Sequence, residues 1–321
     1  MAKANTNKKR LIIGVVSVAV SAGLVIFLLS RLDFAQVSLL LAEADRRWLV
    51  FAALLTFTMP FSAVLRWRGV LRSVSSLKVS YLTSLRAVLM ANVLNSFLPS
   101  KAGDVAKAAY LRKQGGVTQG LGTVLLERLV DLAILGLLAL LGALISGVLW
   151  GYLAGALLLG GVMFVFAVVL LLPIQKLPLP DKVKDILTTM REVFEPWLKD
   201  TRAMGQTVLG SFLTWSAGGL TVYALAAALP GTIGLGYVYG IFPLAILAGL
   251  LPLTVSGIGT RDAAFTALLG AQVGIEEATL IGLGYTLYAY WLLSAVSLPV
   301  VLWEMLRMNV GKKKSETSAE V

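Results

Sequence analysis

The strongest constraint on this chain is a series of long apolar runs with nearly all of its charge placed between them. Runs at 11–30, 48–65, 118–148, 151–172, 206–229 and 278–303 approach or exceed the roughly 20 residues that a helix needs to cross the hydrocarbon layer. Only 14% of the residues are charged and 58% are hydrophobic. A soluble domain carries about 25% charged residues, so this apolar excess requires a second apolar solvent. The runs lack the strict alternation of a barrel strand. Helices are therefore the spanning element, and the fold class is an all-α polytopic membrane protein. We expect about six full transmembrane helices plus two re-entrant broken-helix hairpins forming an inverted repeat.

The hairpins are the stretches 81–113 and 237–272. Each is apolar but broken near its middle, at Leu98-Pro99-Ser100-Lys101-Ala102-Gly103-Asp104 and at Leu251-Pro252-Leu253-Thr254-Val255-Ser256-Gly257-Ile258-Gly259-Thr260-Arg261-Asp262. Proline stops the first half-helix and glycine permits the turn. The charge distribution favours hairpins over full crossings, because basic residues collect on the cytosolic side. Counted as hairpins, they leave only Arg31, Arg46, Arg47 and Arg261 outside and Arg128 within a span, out of 28 Lys and Arg. Both termini are then cytosolic, in a cell membrane. Three spans separate the hairpins, so the second is inverted relative to the first, as at the broken-helix sites of transporters. The other reading is two kinked helices with proline placed for packing.

The remaining segments follow from composition. Residues 1–10 form a basic cytosolic start, 11–306 a single integral membrane domain, and 307–321 a basic, disordered tail. Residues 32–47 are amphipathic and lie on the outer face. Within the cytosolic segment 174–205, Val183, Ile186, Leu187, Met190, Val193, Phe194 and Trp197 recur at helical spacing, as in an interfacial helix.

Cysteine and histidine are both absent, which excludes disulfides, thiol nucleophiles, imidazole catalysis and Cys/His metal sites. The net charge of +11 does not signal nucleic acid, because the basic residues serve topology. No cofactor or metal is implied. Asp104, Glu127 and Asp131 could hold a divalent cation, but their spacing does not demand one.

Candidate substrate-binding residues are Asn95, Ser100, Lys101, Asp104, Lys107, Glu127, Arg128, Asp131, Arg261 and Asp262. Pro99, Gly103, Pro252, Ser256, Gly257 and Gly259 shape the turns. Lys101 and Arg261 adjoin the N-termini of the second half-helices, whose free amides and positive dipole end suit a phosphate. Glu127 and Asp131 share a helix face, and Arg128 is i,i+3 from Asp131, so an intrahelical pair can form. Buried charge of this kind serves either a structural salt bridge or a head-group site or proton relay. Asn92 and Asn95 read first as interhelical glue. Arg86 sits at snorkelling depth. Lys107, Arg112 and Lys113 form a basic strip leading to the cytosol, where anionic lipid head groups gather. Tyr285, Tyr288, Tyr290 and Trp291 read as packing.

The stretch Asn95 to Asp104, followed by Glu127-Arg128-Leu129-Val130-Asp131, resembles the membrane region of lysylphosphatidylglycerol synthases and the stand-alone flippase-like proteins related to them. Leu251-Pro252 and Ser256-Gly257-Ile258-Gly259-Thr260-Arg261-Asp262-Ala263-Ala264 resemble that family's second signature. The likeness covers roughly 11–306. It implies lipid translocation between leaflets, and a membrane lipid or lipid-linked sugar as substrate. The soluble synthase domain is not expected here, so lysyl transfer is not carried over and no enzyme activity is expected. Association into homo-oligomers stays open. The alternatives are a lipid-phosphate transferase or phosphatase using Asp104, Glu127 and Asp131, and a non-transporting partner of a glycosyltransferase.

Overall fold

The computed structural model describes residues 2–74, 78–111 and 117–317. The described chain is all-helical, with α1 Ala2–Ser30, α2 Phe34–Glu43, α3 Arg46–Ser73, α4 Tyr81–Asn95, α5 Val105–Tyr110, α6 Val117–Ser146, α7 Leu149–Leu171, α8 Asp181–Lys199, α9 Thr201–Ala227, α10 Leu235–Leu250, α11 Thr260–Val273, α12 Ile275–Thr286 and α13 Leu293–Thr317. Five of the described helical stretches are long and apolar enough to cross a bilayer, and the pair α1–α2 would make a sixth. That pair is bent by 86° after Ser30, so α2 lies across the direction of α1. Asp33 fixes the bend by capping α2, its carboxylate accepting from the amides of Ala35 and Gln36.

Two boundaries differ from the sequence expectation in ways that matter. The span expected at 48–65 continues as helix to Ser73, because Trp67, Val70 and Leu71 prolong its buried face. Arg66, assigned to the cytosolic segment on charge grounds, is thereby carried inward and buried. At the other end, the polar tail stays helical to Thr317, where disorder was expected. Its lysines and glutamate are good helix formers, and α13 runs unbroken from Leu293 through Pro299 and Gly311 to Thr317.

Close packing of α3 on α9 sets the core. Small residues recur along α9 at Ala203, Thr207, Gly210, Ser211 and Thr214, a pattern that lets backbones approach. A Cβ placed on Gly210 would lie 2.5 Å from the amide nitrogen of Arg66, and one on Gly69 would lie 2.7 Å from that of Thr207. Only glycine fits at these crossings. Asp200 caps α9, its carboxylate accepting from the amides of Arg202 and Ala203 and pairing with Arg72 at 3.3 Å. The Ala203 amide, followed by Arg72, holds this carboxyl below its ordinary range.

The amphipathic segment forms α8, but much of its apolar face is already occupied. Met190, Val193, Phe194 and Trp197 are buried against α6, α7 and α9, and Val183 and Ile186 stay exposed. Arg191 reaches across to the end of α7, donating to the carbonyls of Val169 and Leu172 at 2.7 Å each. Those carbonyls lie at the helix C-terminus, where cationic donors are favoured.

Both expected breaks are present, and each folds its two halves back on one another. After α4 the chain turns through Ser96 to Leu98 and a tight helical turn at Pro99–Asp104 before α5. A Cβ on Gly103 would lie 2.6 Å from the amide nitrogen of Asn95, so the turn lies directly on the end of α4. Between α10 and α11, Ser256, Gly257 and Gly259 take φ values of 58°, 76° and 90°. Ser256 is the one non-glycine with positive φ among the described residues, a strained conformation of the kind found at functional turns. Helix α1 braces this turn, the Ser21 hydroxyl accepting from the amide of Val255 at 2.8 Å. The two turns, far apart in sequence, touch each other.

Candidate functional site

Where the breaks meet, charged side chains from four segments, α3, the Pro99–Asp104 turn, α5 and α6, converge, and all but Arg128 are buried. Arg66 on α3 donates from Nε to Glu127 at 3.0 Å and from a terminal nitrogen to Asp131 at 2.8 Å. Lys107 on α5 pairs with Glu127 at 2.7 Å and with Asp104 at 3.7 Å, and its ammonium lies over the Trp67 ring. Arg128 joins Asp104 at 2.7 Å to Asp131 at 3.2 Å, the second being the expected i,i+3 pair. Ser211 on α9 donates to Asp131, and Asn95 on α4 donates to Asp104. Three carboxylates thus face three cations. Balance of this kind is what permits so much charge at depth, since an unpaired buried ion is strongly disfavoured.

The second break carries its own cluster. Arg261 is 1% exposed, with its guanidinium 3.9 Å from the Tyr290 ring centre and 5.5 Å from that of Tyr285. It donates to the Ser256 carbonyl and to the Thr286 hydroxyl, which in turn donates to Asp262. Asp262 accepts from the amide of Gly259 at 2.9 Å. The chain's own carboxylate therefore occupies the start of α11, which the sequence reading reserved for a phosphate. Asp262 is fully buried, and its role here is to cap α11 and fix Arg261.

One element ties the clusters together. Between α12 and α13 the helix widens into a π-helical stretch, Leu287–Leu292, a distortion often found at functional sites. It carries Tyr290, whose carbonyl accepts from the Ser96 hydroxyl at the end of α4. Ser96 and Ser294 share a hydrogen bond of 2.5 Å. A cavity of about 80 Å³ lies between the clusters. Arg66, Asn92, Asn95, Asp104 and Arg128 line it, as do Trp215, Tyr285, Tyr290 and Ser294. The Asn92 amide nitrogen, the Asn95 carbonyl oxygen and Nε of Arg128 are buried there without hydrogen-bond partners.

The structure thus brings Asn95, Asp104, Lys107, Glu127, Arg128 and Asp131 into one network and sets Arg261 against Tyr285 and Tyr290, two of the residues that line the cavity. Lys107 is not part of an outward-leading strip. It is 1% exposed, drawn inward by two carboxylates, while Arg112 and Lys113 lie outside the described residues. Pro99, Ser100 and Lys101 lie in the turn, with side chains outside the described set. Gly103, Gly257 and Gly259 are at close approaches, and Pro252 follows Leu251, the C-cap of α10. Arg86 pairs with Glu304 at 3.3 Å and stacks on Trp303 rather than snorkelling alone. Tyr285 and Tyr290 wall the cavity as well as packing.

The principal omission was Arg66. Its signal was present in the charge count: two expected cations, Lys107 and Arg128, cannot balance three carboxylates at depth. The nearest basic residue continuing an apolar helix was Arg66.

Fold and site together define a polytopic α-helical membrane protein with two broken helices meeting at a buried ionic centre. Residues 14–297 match the family described as the lysylphosphatidylglycerol synthase TM region, and the chain belongs to that family. It is similar to a UPF0104 membrane protein of Methanocaldococcus jannaschii, with 26% identity over 68% of this chain and 97% of that protein. A UPF0104 membrane protein of Pyrococcus horikoshii is 24% identical over 86% of this chain and 92% of its own length.

Proposed function

We propose that this protein moves a membrane lipid or lipid-linked sugar between the leaflets of the cell membrane, acting as a flippase or scramblase. The substrate class is an anionic phospholipid, a glycolipid or a polyprenyl-linked lipid. The observation that carries this reading is the cavity at the meeting of the two turns, walled by buried charges and unpartnered polar atoms. Charged residues inside a membrane bundle mark substrate pathways. A cavity of about 80 Å³ is smaller than the roughly 300–1,000 Å³ of ligand pockets, so the site would have to open to admit a head group. Separation of the two turns, each entering from its own leaflet, would admit a head group from one side and release it to the other. Arg128, whose side chain is 25% exposed, would meet the phosphate, and Asn92 and Asn95 would bind neighbouring hydroxyl or ester groups. Arg66 and Lys107 would hold the carboxylates in place. Each carboxylate is engaged by cations, which disfavours a general base and with it the lipid-phosphate transferase reading.

Reconstitution in liposomes tests this. Labelled phosphatidylglycerol, a glycolipid and a polyprenyl phosphate are followed between leaflets. At least one should exchange faster than in empty vesicles, and Arg128→Gln should slow it by about 10- to 100-fold, the worth of a charged hydrogen bond. Equal rates with and without protein for all three lipids would end the proposal.

A further inference from the structure

A second basic site lies on the opposite face of α3 from the ionic network. Arg66 and Arg68 are two residues apart, hence about 200° apart around the helix, and Arg72 is one turn beyond Arg68 on the same face. Arg66 points inward to α6, and Arg68 and Arg72 point into a separate pocket of about 340 Å³. Lys78 lines the same pocket, and Gln206 of α9 closes it. The remaining wall is aliphatic, from Leu65, Leu71, Val74 and Val79. Among the described residues that line it, none is acidic. Arg72 is tethered by Asp200, and Arg68 is oriented by donating to the Val79 carbonyl at 3.0 Å and by the Tyr81 ring. The pocket is at the end of α3, beside the junction of α8 and α9, on the side that the charge distribution assigns to the cytosol.

We infer that this pocket binds the phosphate of an anionic lipid head group in the cytosolic leaflet. Arg68, Arg72 and Lys78 around one concavity supply the phosphate chemistry, with Asp200 offsetting part of the charge of Arg72. Basic residues at this depth attract anionic lipids. The aliphatic wall assigns the phosphate to a lipid, since a free phosphate would gain nothing from four apolar side chains. The inference does not rest on the translocation reading, because this pocket and the central cavity share no residue.

The test uses the full chain in neutral detergent, titrated with phosphatidylglycerol, phosphatidylcholine or inorganic phosphate, with thermal unfolding as the readout. Phosphatidylglycerol should raise the melting temperature, and the other two should not. The double variant Arg68→Gln, Lys78→Gln should weaken phosphatidylglycerol binding by about 30-fold, from roughly 1 kcal/mol per basic residue near an anionic surface. Gln206→Glu, which places a carboxylate in the pocket without removing any cation, should weaken it as well. Lys182→Gln with Lys199→Gln removes equal charge from the exposed face of α8 and should leave binding intact. Stabilisation by phosphatidylcholine to the same degree, equal loss in the α8 control, or binding that survives both pocket variants would each overturn the inference. Saturable binding of inorganic phosphate alone would overturn the lipid assignment.

Discussion

Arg66 is the residue on which the ionic centre turns, because it touches both carboxylates of α6 from another span. Replacing it with alanine would leave Glu127 and Asp131 with one cation each in a site closed to water. Breaking a buried pair from one side typically destabilises by about 3–5 kcal/mol. We therefore expect Arg66→Ala to lower thermal stability in detergent sharply, and Arg66→Lys to recover only part of it. A lysine is a point charge and cannot fork between two carboxylates as a guanidinium does. A melting temperature for Arg66→Ala within a degree of the parent would contradict this. Much of the site at this scale was legible in the sequence: Asp104, Glu127, Arg128 and Asp131 stood out as charges in apolar surroundings. Lys107 was a candidate too, though read as part of a strip leading outward; Arg66 was missed, since it lay close enough to a polar segment to read as topology signalling.

Among elements, the α3–α9 crossing positions Arg66, and its geometry depends on glycine. Gly210→Val would force apart backbones that the Cβ would approach to 2.5 Å. We expect a loss of about 1–3 kcal/mol, the usual penalty of overpacking, with a matching fall in melting temperature. Gly205, on the same helix with open space around it, offers the contrast: Gly205→Ala should be neutral or stabilise by about 0.5–1 kcal/mol through helix propensity. Similar effects from both variants would show that the crossing is not as close as described. The Arg191 bridge from α8 to the end of α7 makes another check possible. Arg191→Ala should raise amide exchange at the last turn of α7 by roughly fivefold or more, for hydrogen bonds worth about 1 kcal/mol each. Unchanged exchange there would assign the contact no stabilising role. The breaks at 98–104 and 251–259 were readable as Leu-Pro pairs with following glycines. The π-helical stretch at 287–292 was not, since no proline or glycine marks it; it follows from how Tyr290 and Ser294 meet Ser96.

For the whole molecule, the central expectation is that the two hairpins enter from opposite leaflets. The absence of native cysteine makes this directly measurable. Single cysteines at Ser80 and Thr118 flank the first hairpin, and cysteines at Thr232 and Gln272 flank the second. We expect the first two to react with a membrane-impermeant reagent from one side and the second two from the other. A flanking pair split between the two sides would mean a through-going segment and would remove the alternating-access mechanism.

The sequence by itself determined the membrane class, the positions of the two breaks and the identity of most buried charges. Hydropathy, proline and glycine act locally, and local effects can be read along the chain. Tertiary structure alone decided that the breaks touch, that Lys107 turns inward and that Asp262 closes the start of α11. It also decided that Arg66 completes the ionic network with residues on a helix more than 60 positions away. Those pairings depend on which helix faces meet, and that is fixed by the fit of small residues at the crossings.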